Sequence, residues 1–336
     1  MILVTGGAGH LGNVLVRALL EKGEKVRVLV LPGEDVSSLE GLDYETAEGN
    51  LLDPAALRKA MEGVDLVYHL ASLVAITADK NDLVYKVNVE GTQNVIDACR
   101  AAGVRRLVYT SSIHSLGRLS GENMIDETVG FDTNNPSGAY DRTKAIASDL
   151  VQKAADESLE TVIVLPTAVV GPFDFRRSEL GEMVLKWMQK TPSLTTDGAY
   201  DFVDVRDVAG GHILAAEHGR SGEAYLISGT RATVSEYRGL VQKAAGVKSP
   251  EVRISGWFLK LIAPILEWFY KILRRRPRVT KYAIETLQSN SNISCKKAEE
   301  ELGYKHRRLS DTVRSTVEWW RANQNRAKAS LRENAL

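Results

Sequence analysis

Short apolar runs alternate with helical segments along the first half of the chain. Each run has the length of a strand buried on both faces, and the segments between the runs repeat apolar residues at helical spacing. The strand-like runs cover residues 2–5, 24–31, 65–72, 105–112 and 161–170. Buried strands joined by helices are typical of a parallel sheet covered on both sides. The pattern therefore predicts an α/β fold built on a doubly wound parallel sheet.

The turn after the first run, "TGGAGHLG", spaces Gly6, Gly9 and Gly12 three residues apart. Glycine permits a tight turn and a close approach of the backbone to a pyrophosphate, and the helix that follows offers its N-terminal N–H groups. A position between a strand and a helix is the context that distinguishes a dinucleotide site from a chance match. The turn predicts NAD or NADP as cofactor. The alternative is a helix that merely packs tightly on the sheet.

The end of the second strand bears on the choice between the two cofactors. In this fold an acidic side chain there binds a ribose 2′-hydroxyl, and a basic one binds a 2′-phosphate. Leu31 occupies the position and can do neither, but Glu34 and Asp35 follow in the loop. Carboxylates directed inward would repel a phosphate, which favours NAD. Carboxylates that only solvate the turn would leave the choice open.

The stretch "AYDRTKA" places Tyr140 and Lys144 four residues apart with no helix breaker between them. On a helix this spacing puts both side chains on one face. Hydride transfer to a carbonyl leaves negative charge on its oxygen, so the reaction needs a proton donor. An ordinary phenol is a weak acid, and a neighbouring ammonium would lower its pKa. Because this spacing also arises by chance, the position of the pair among other motifs has to show whether Tyr140 and Lys144 form a reaction centre.

Further motifs follow one another in a fixed order along the chain. They are "TGGAGHLG", "GNLLD", "HLAS", "NVEGTQNV", "YTSSIHSLG", "YDRTK", "PTAVVGP" and "DFVDVRDVA". Together they resemble the extended short-chain dehydrogenase/reductase family of the epimerase/dehydratase type. The chain looks closest to the branch of dihydroflavonol 4-reductases and 3β-hydroxysteroid dehydrogenases.

The resemblance implies a division into domains. Residues 1–171, with a returning segment near 201–228, would form a dinucleotide-binding Rossmann domain. Residues 172–200 and 229–324 would form a smaller, mixed C-terminal substrate-binding lobe, in which the last helical stretch is divided in two by Gly303. Residues 325–336 would be a frayed tail.

The resemblance also implies which residues line the cofactor. Asn50 stands where the family usually has an aspartate that contacts the adenine amino group, and its amide oxygen can still accept a hydrogen bond. The implied cofactor-binding residues are Gly6, Gly9, His10, Leu11, Gly12, Leu31, Asn50, Leu51, Leu70, Ala71, Ser72, Tyr140, Lys144, Pro166, Ala168 and Val169.

The same resemblance assigns the catalytic roles. Tyr140 would be the general acid or base and Lys144 its electrostatic partner, which also holds the nicotinamide ribose. Counting back from the glycine of "SSIHSLG" places the catalytic serine on Ser112, with Ser111 as the runner-up. Asn88 matches the helix asparagine that supports the lysine, although a polar residue at a helix bend is an alternative.

The candidate substrate contacts are His114, Ser111, Arg176 and Arg177. His114 follows from the resemblance, with a solvated loop histidine as the alternative, and the two arginines could equally be surface charges beside the turn after Pro172. The Asp-Glu pair of the family's dehydratases is absent, which disfavours elimination of water from a nucleotide sugar. A nucleotide-sugar 4-epimerase with retained NAD stays open, because Arg176 and Arg177 could face a pyrophosphate. The segment 257–278 is aromatic and apolar and ends in a basic cluster. It is interpreted as a wall of an apolar pocket, as inter-domain core or, least favoured, as a membrane-surface helix.

The composition limits which kinds of partner the protein is expected to bind. Lys and Arg total 43 and so do Asp and Glu, so no net charge attracts nucleic acid. The 2 cysteines form no metal-like cluster, and the first residues show no secretory signal, so a cytoplasmic location and the absence of a bound metal are expected. The family resemblance implies a homodimer.

The leading hypothesis is an NAD(P)-dependent oxidoreductase that moves hydride between nicotinamide and a secondary alcohol or ketone of a small, fairly apolar substrate. The alternatives are the epimerase and a non-enzymatic protein that senses the dinucleotide.

Overall fold

The central element of the structure is a parallel sheet of seven strands. It is seen in a computed structural model that describes residues 1–74, 81–119, 123–256, 258 and 290–323. The strand order is β10-β6-β5-β4-β1-β2-β3, and every neighbouring pair is parallel. The strands are β1 (Ile2–Thr5), β2 (Val26–Val30), β3 (Glu45–Glu48), β4 (Leu66–His69), β5 (Arg106–Thr110), β6 (Glu160–Pro166) and β10 (Glu223–Ile227). The order reverses direction at β1, as in a doubly wound sheet, which confirms the predicted fold class.

Helices cover both faces of this sheet. The flanking helices are α1 (His10–Glu21), α2 (Pro54–Ala60), α3 (Asn81–Tyr85), α4 (Gly91–Ala102), α5 (Ala139–Lys153) and α7 (Val205–His218). One buried apolar cluster lies between the sheet and α1 with α7, and another lies between the sheet and α2, α4 and α5. The central strands are therefore apolar on both faces, which is why their sequence reads as continuous apolar runs.

The predicted strand over 161–170 is two strands. β6 ends at Pro166, and β7 (Ala168–Val170) leaves the main sheet to pair with β9 (Ala199–Asp204). Between them Thr167 donates a side-chain hydrogen bond of 2.7 Å to the buried Asp201. The apolar run continues through the break because both halves are buried, so hydrophobicity alone could not locate it.

A second group of elements packs around the strands that leave the main sheet. β9 pairs antiparallel with β11 (Thr230–Thr233), and β8 (Ser193–Thr196) pairs with β12 (Glu251–Ile254). A third apolar cluster joins β7, β9 and β11 to α6 (Glu179–Trp187), α8 (Val234–Ala245) and α10 (Leu309–Ala322). This group is the smaller mixed lobe, and the residue boundaries of the two domains stay a prediction.

The C-terminal stretch forms two helices as expected. α9 (Lys296–Leu302) ends at Gly303, which adopts a positive φ of 71°. The segment 257–278, apart from Phe258, and the tail 325–336 lie outside the described residues. In the part of the chain that is described, no helix is both long and apolar enough to cross a membrane.

Candidate active site

The predicted site residues gather at the carboxyl edge of the main sheet. Gly6, Leu70 and Ser111 directly follow the last residues of β1, β4 and β5, and Pro166 is the last residue of β6. Open α/β sheets bind ligands outside this edge, at the point where the strand order reverses. Here that point lies between β1 and β4.

The glycine turn has the shape that a dinucleotide needs. Gly6 has a positive φ of 72°, and a Cβ there would lie 2.7 Å from the backbone nitrogen of Ala71. A Cβ on Gly12 would overlap the carbonyl oxygen of Gly6, so α1 could not approach the turn. The first N–H groups of α1, from His10 onward, lack intrahelical partners and are available to an anion. These residues fit NAD or NADP.

The other residues that are expected to contact the cofactor differ in their burial and in their hydrogen-bond partners. Leu51 is buried, whereas Leu31 is half exposed. Asn50 uses its amide oxygen to accept a hydrogen bond from the Leu52 backbone. His10 contacts the carbonyl of Pro172 at 3.0 Å. Leu70, Ala71, Ser72, Ala168 and Val169 are partly buried and Pro166 is buried, at or beside the ends of β4, β6 and β7.

Tyr140 and Lys144 lie in the first turns of α5, which starts at Ala139 after Gly138. Tyr140 lies within interaction range of Ser112, which follows β5. Burial raises the pKa of Tyr140 to about 12, the Ser112 hydrogen bond opposes the rise, and the charge of Asp141 adds to it. Tyr140 is therefore protonated at neutral pH, and burial makes it a weaker acid than a free phenol.

Lys144 lies one helical turn after Tyr140, and its ammonium is held by the end of β5. Its Nζ donates to the carbonyl oxygen of Thr110 at 2.7 Å and to the Tyr109 hydroxyl at 3.4 Å, and it lies 4.9 Å from the centre of the Tyr109 ring. Lys144 is 2% exposed, and burial lowers its pKa to about 7. The lysine is thus held against β5, and at neutral pH it carries only part of its charge.

A buried chain of hydroxyls continues from Tyr109. Thr92 donates its only hydroxyl proton to the carbonyl of Asn88 at 2.7 Å, so it accepts from its other partners. Those partners are the Tyr109 hydroxyl and His69 Nε2, the latter at 3.1 Å. His69 Nδ1 lies 2.7 Å from the hydroxyl of Thr5, directly before the glycine turn. Burial lowers the pKa of His69 to about 3, which keeps the ring neutral.

Asn88 lies in a single π-helical turn, Lys86–Glu90, between α3 and α4. Its side chain accepts from the backbone nitrogen of Leu73 at 2.8 Å and donates to the Leu73 carbonyl at 3.0 Å and to Thr143 at 3.2 Å. Asn88 therefore anchors the segment after β4 to α5. It reaches Lys144 only indirectly, through its own carbonyl, Thr92 and Tyr109.

Ser111, expected among the substrate contacts, lies in the core between β5 and α5. Its hydroxyl is buried, 2.5 Å from that of Ser148 and 3.1 Å from that of Ser115. Adjacent residues at a strand end point to opposite sides, so Ser111 joins β5 to α5 while Ser112 turns toward Tyr140. The alternation that separates the two serines could have been applied to the sequence.

His114 stands in the 3₁₀ turn Ile113–Ser115 and is partly buried. Burial lowers its pKa, although the neighbouring Asp141 opposes this and Arg118 adds to it. Asp141 is fully buried and pairs with Arg118 at 3.3 Å. A neutral imidazole at this position can donate to or accept from an uncharged substrate oxygen.

The two arginines expected at the substrate take other partners. Arg176 forms a 2.6 Å ion pair with Glu34, in the loop after β2, and so lies on the cofactor side of the molecule. Arg177 adopts a positive φ of 55° and lies 3.9 Å from Glu182 on α6. Neither contact brings a guanidinium to Tyr140.

The residues that the sequence reasoning missed are Thr5, His69, Thr92, Tyr109, Arg118 and Asp141. Most of them stand inside quoted motifs, but a motif does not show which side chains from different strands meet. Within the described ranges, no group of three or more His, Cys, Asp or Glu side chains is placed to hold a metal ion.

Comparison with known proteins identifies the family. Residues 3–243 match the 3-beta hydroxysteroid dehydrogenase/isomerase family. The chain belongs to this family. It is a family of NAD(P)-dependent enzymes of the extended short-chain dehydrogenase/reductase type, which confirms the resemblance of the sequence motifs.

Relatives within and around this hydroxysteroid dehydrogenase family match nearly the whole chain. Sterol demethylase protein B of Methylococcus capsulatus is 36% identical over 95% of this chain and 98% of its own length. A 2-alkyl-3-oxoalkanoate reductase of Stenotrophomonas maltophilia is 33% identical, over 90% and 94%. The crystal structure of gox2253 is 33% identical, with a TM-score of 0.83 over 96% of this chain and 98% of that one.

Proposed function

We propose that this chain transfers hydride between a nicotinamide dinucleotide and a secondary alcohol or ketone of a small, fairly apolar molecule. The observation that carries the proposal is the placement of Tyr140 within interaction range of Ser112 at the carboxyl edge of the sheet, next to the glycine turn. Two relatives are named as a sterol demethylase protein and an oxoalkanoate reductase, and these names support an apolar substrate with an alcohol or ketone group.

The bound nicotinamide supplies or accepts the hydride. Tyr140 donates the proton that the carbonyl oxygen needs as negative charge develops on it, and it takes the proton back in the reverse direction. Ser112 interacts with the Tyr140 phenol and stabilises the negative charge that develops on the carbonyl oxygen of the substrate. A phenol is protonated at neutral pH, so Tyr140 is in the form that ketone reduction requires.

Lys144 has a positioning role in this proposal. With its ammonium held by the Thr110 carbonyl and the Tyr109 hydroxyl, it presents a fixed donor beside Tyr140 on the same face of α5. Its lowered pKa makes the charge at this point depend on pH near neutrality. His114, neutral and partly buried, would contact the uncharged substrate.

A cofactor and substrate assay tests the proposal. The purified protein is heat-denatured, and any dinucleotide that it releases is identified. Oxidation of added NADH and NADPH is then followed over a panel of ketones and sugar nucleotides, by the absorbance of reduced nicotinamide at ~340 nm. We expect net cofactor oxidation with apolar ketones. Retained NAD with interconversion of sugar nucleotides and no net oxidation would instead establish the epimerase. Saturable dinucleotide binding with no turnover of any compound would establish a sensing protein.

We also propose that the protein forms a homodimer through α4 and α5. A groove of about 690 Å³ lies on this side, and Tyr85 at its margin is 45% exposed. Its apolar lining includes Val89, Ile146 and Leu150. Light scattering should give twice the monomer mass of 36.9 kDa. Ile146→Glu should shift the mass to that of the monomer, and a wild-type monomer would contradict the proposal.

A further inference from the structure

We propose that a cavity at the amino edge of the main sheet is a second binding site, which takes a small uncharged molecule with an apolar body and a carbonyl oxygen. The cavity has a volume of about 310 Å³. Ligand pockets occupy about 300–1,000 Å³, so this one suits a single ring or a short chain. Its lining contains none of the residues of the proposed active site, and the inference does not depend on the proposed function.

The cavity lies where three strands begin and two helices end. Ile2, Leu66 and Arg106 are the first residues of β1, β4 and β5, and all three line it. Leu19 and Ala216, in the last turns of α1 and α7, complete this part of the lining. The cavity is therefore on the opposite edge of the sheet from the glycine turn.

The inner wall of the cavity is apolar. Its apolar lining residues belong to, or pack against, the cluster that lies between the sheet and α1 with α7. They are Ile2, Leu19, Leu66, Ile213 and Ala216. A wall of this kind favours burial of an apolar body and leaves a few polar groups to orient the ligand.

A tyrosine hydroxyl without a partner lies at the polar end of this cavity. Tyr68 lines the cavity and is only 1% exposed. Burial raises the pKa of Tyr68, the charges of Glu217 and Glu24 add to the rise, and Arg106 opposes it. These three residues also line the cavity, so the hydroxyl is directed toward them. Within the described ranges the hydroxyl has no hydrogen-bond partner, and an acceptor on a ligand would supply one.

Arg106 provides a second donor at the same end. It is 9% exposed, and its Nε donates to Glu160 at 2.7 Å and its Nη1 to the Ala216 carbonyl at 2.7 Å. These bonds fix the guanidinium against the end of α7. Nη2 makes no hydrogen bond to the part of the chain that the structure describes, although it carries two protons. A carbonyl oxygen has two lone pairs and can accept from both Arg106 and Tyr68.

The cationic side chains of the lining already have ion-pair partners. Lys22 pairs with Glu217 at 2.6 Å, and Arg106 pairs with Glu160 at 2.7 Å. Arg105 lies 3.2 Å from the same Glu160 carboxylate. The positive charge of these three residues is therefore balanced, and the cavity offers little attraction to an anion.

Negative groups at the cavity further disfavour an anionic ligand. Glu24 lines the cavity and has no ion-pair partner among the described residues. Helices α1 and α7 both end here, and a helix carries partial negative charge at its C-terminal end. A carboxylate would meet these charges, whereas an amide avoids them and can donate an N–H to Glu24. An uncharged amide on an apolar ring therefore fits both the polar end and the wall.

NMR titrations observed on the ligand test this site. The probes are cyclohexanecarboxamide and cyclohexanecarboxylate, which share a ring and differ in charge, and NADH is present throughout to occupy the nicotinamide site. Tyr68→Phe removes the hydroxyl donor, and Ala216→Phe fills the cavity. Tyr237→Phe is the matched control, because its hydroxyl is also buried without a partner among the described residues, but in the smaller lobe.

We expect the amide to bind the wild type saturably, with a dissociation constant below about 10 mM. The carboxylate should bind at least about tenfold more weakly. Tyr68→Phe should weaken binding of the amide by about three- to tenfold, and Ala216→Phe should abolish it. Tyr237→Phe should bind the amide as the wild type does.

Three results would overturn this inference and leave the proposed function standing. The first is a wild type that binds neither probe, which would mean that the cavity holds only water. The second is a carboxylate that binds as tightly as the amide or more tightly. The third is binding of the amide that is unchanged in both Tyr68→Phe and Ala216→Phe, which would place the probe elsewhere on the protein.

Discussion

Lys144 Nζ lies 2.7 Å from the carbonyl oxygen of Thr110, so this lysine of α5 is held by the end of a strand. The neighbouring Tyr109 hydroxyl, at 3.4 Å, is its second partner. Through Thr92 and His69 the same hydrogen-bonded chain reaches Thr5 at the glycine turn. The position of the lysine is thus connected, through buried and satisfied groups, to the loop expected to carry the cofactor.

Tyr109→Phe should loosen Lys144 while leaving the ring beneath it in place. The variant removes one acceptor for the ammonium and one donor to Thr92, so we expect the free energy of unfolding to fall by about 1 kcal/mol. Turnover should fall more than cofactor affinity does. Urea unfolding and steady-state kinetics check this.

Tyr237→Phe is the matched control for that loss. The Tyr237 hydroxyl is buried without a hydrogen-bond partner among the described residues, so its removal should leave stability unchanged or raised. Equal losses in the two variants would contradict a specific role for the Tyr109 hydroxyl.

Lys144→Met should change how stability depends on pH. Burial lowers the pKa of Lys144 from 10.5 to about 7, so between these values the unfolded chain binds the proton more strongly. Wild-type stability therefore gains from rising pH over this window, and the variant should lack that contribution. Denaturant unfolding at intervals from pH 7 to 10 measures both slopes. The idea fails if the two slopes are the same.

His212 should contribute to loss of stability in acid. Its Nδ1 donates to the Val208 carbonyl and its Nε2 accepts from Thr110, which suits the neutral ring. Burial lowers its pKa from 6.5 to about 4, so the unfolded state gains protons first as the pH falls. The loss between pH 6.5 and 4 should be on the order of 3 kcal/mol.

Unfolding of His212→Gln as a function of pH measures this contribution. The variant should show a shallower loss of stability in acid than the wild type. His218→Gln, at a side chain that is 54% exposed, should behave like the wild type. If the stability of His212→Gln falls in acid as steeply as that of the wild type, the buried His212 ring does not contribute to this loss.

Ser112→Ala and Ser111→Ala should separate chemistry from packing. Ser112 bonds Tyr140, so its loss should lower kcat by about 10²–10³. Ser111 bonds Ser148 and Ser115 in the core, so its loss should cost about 1 kcal/mol of stability with kcat nearly unchanged. Steady-state kinetics and urea unfolding of both variants test this. A loss of kcat in Ser111→Ala with only a loss of stability in Ser112→Ala would exchange the two roles.

Local patterns in the sequence predicted the sheet, the glycine turn and the helix that carries Tyr140 and Lys144. These features depend on residues close together in the chain, where periodicity and spacing carry the information. The break at Thr167 was missed because the strands on both sides of it are buried and apolar.

Contacts between distant segments account for what the sequence could not predict. Thr92 and His69 meet Tyr109 only because α4, β4 and β5 are packed together. Likewise, the spacing of Glu34 in its loop does not show that the carboxylate folds back to Leu31 and meets Arg176, which is 142 residues away in the chain.

Kinetics of Tyr140→Phe with the best ketone from the panel test the central claim most directly. The phenylalanine keeps the ring and removes only the proton donor. We expect kcat to fall by about 10²–10⁴, with the NADH dissociation constant within about threefold of the wild type. Turnover close to that of the wild type would contradict the assignment of Tyr140 as the acid.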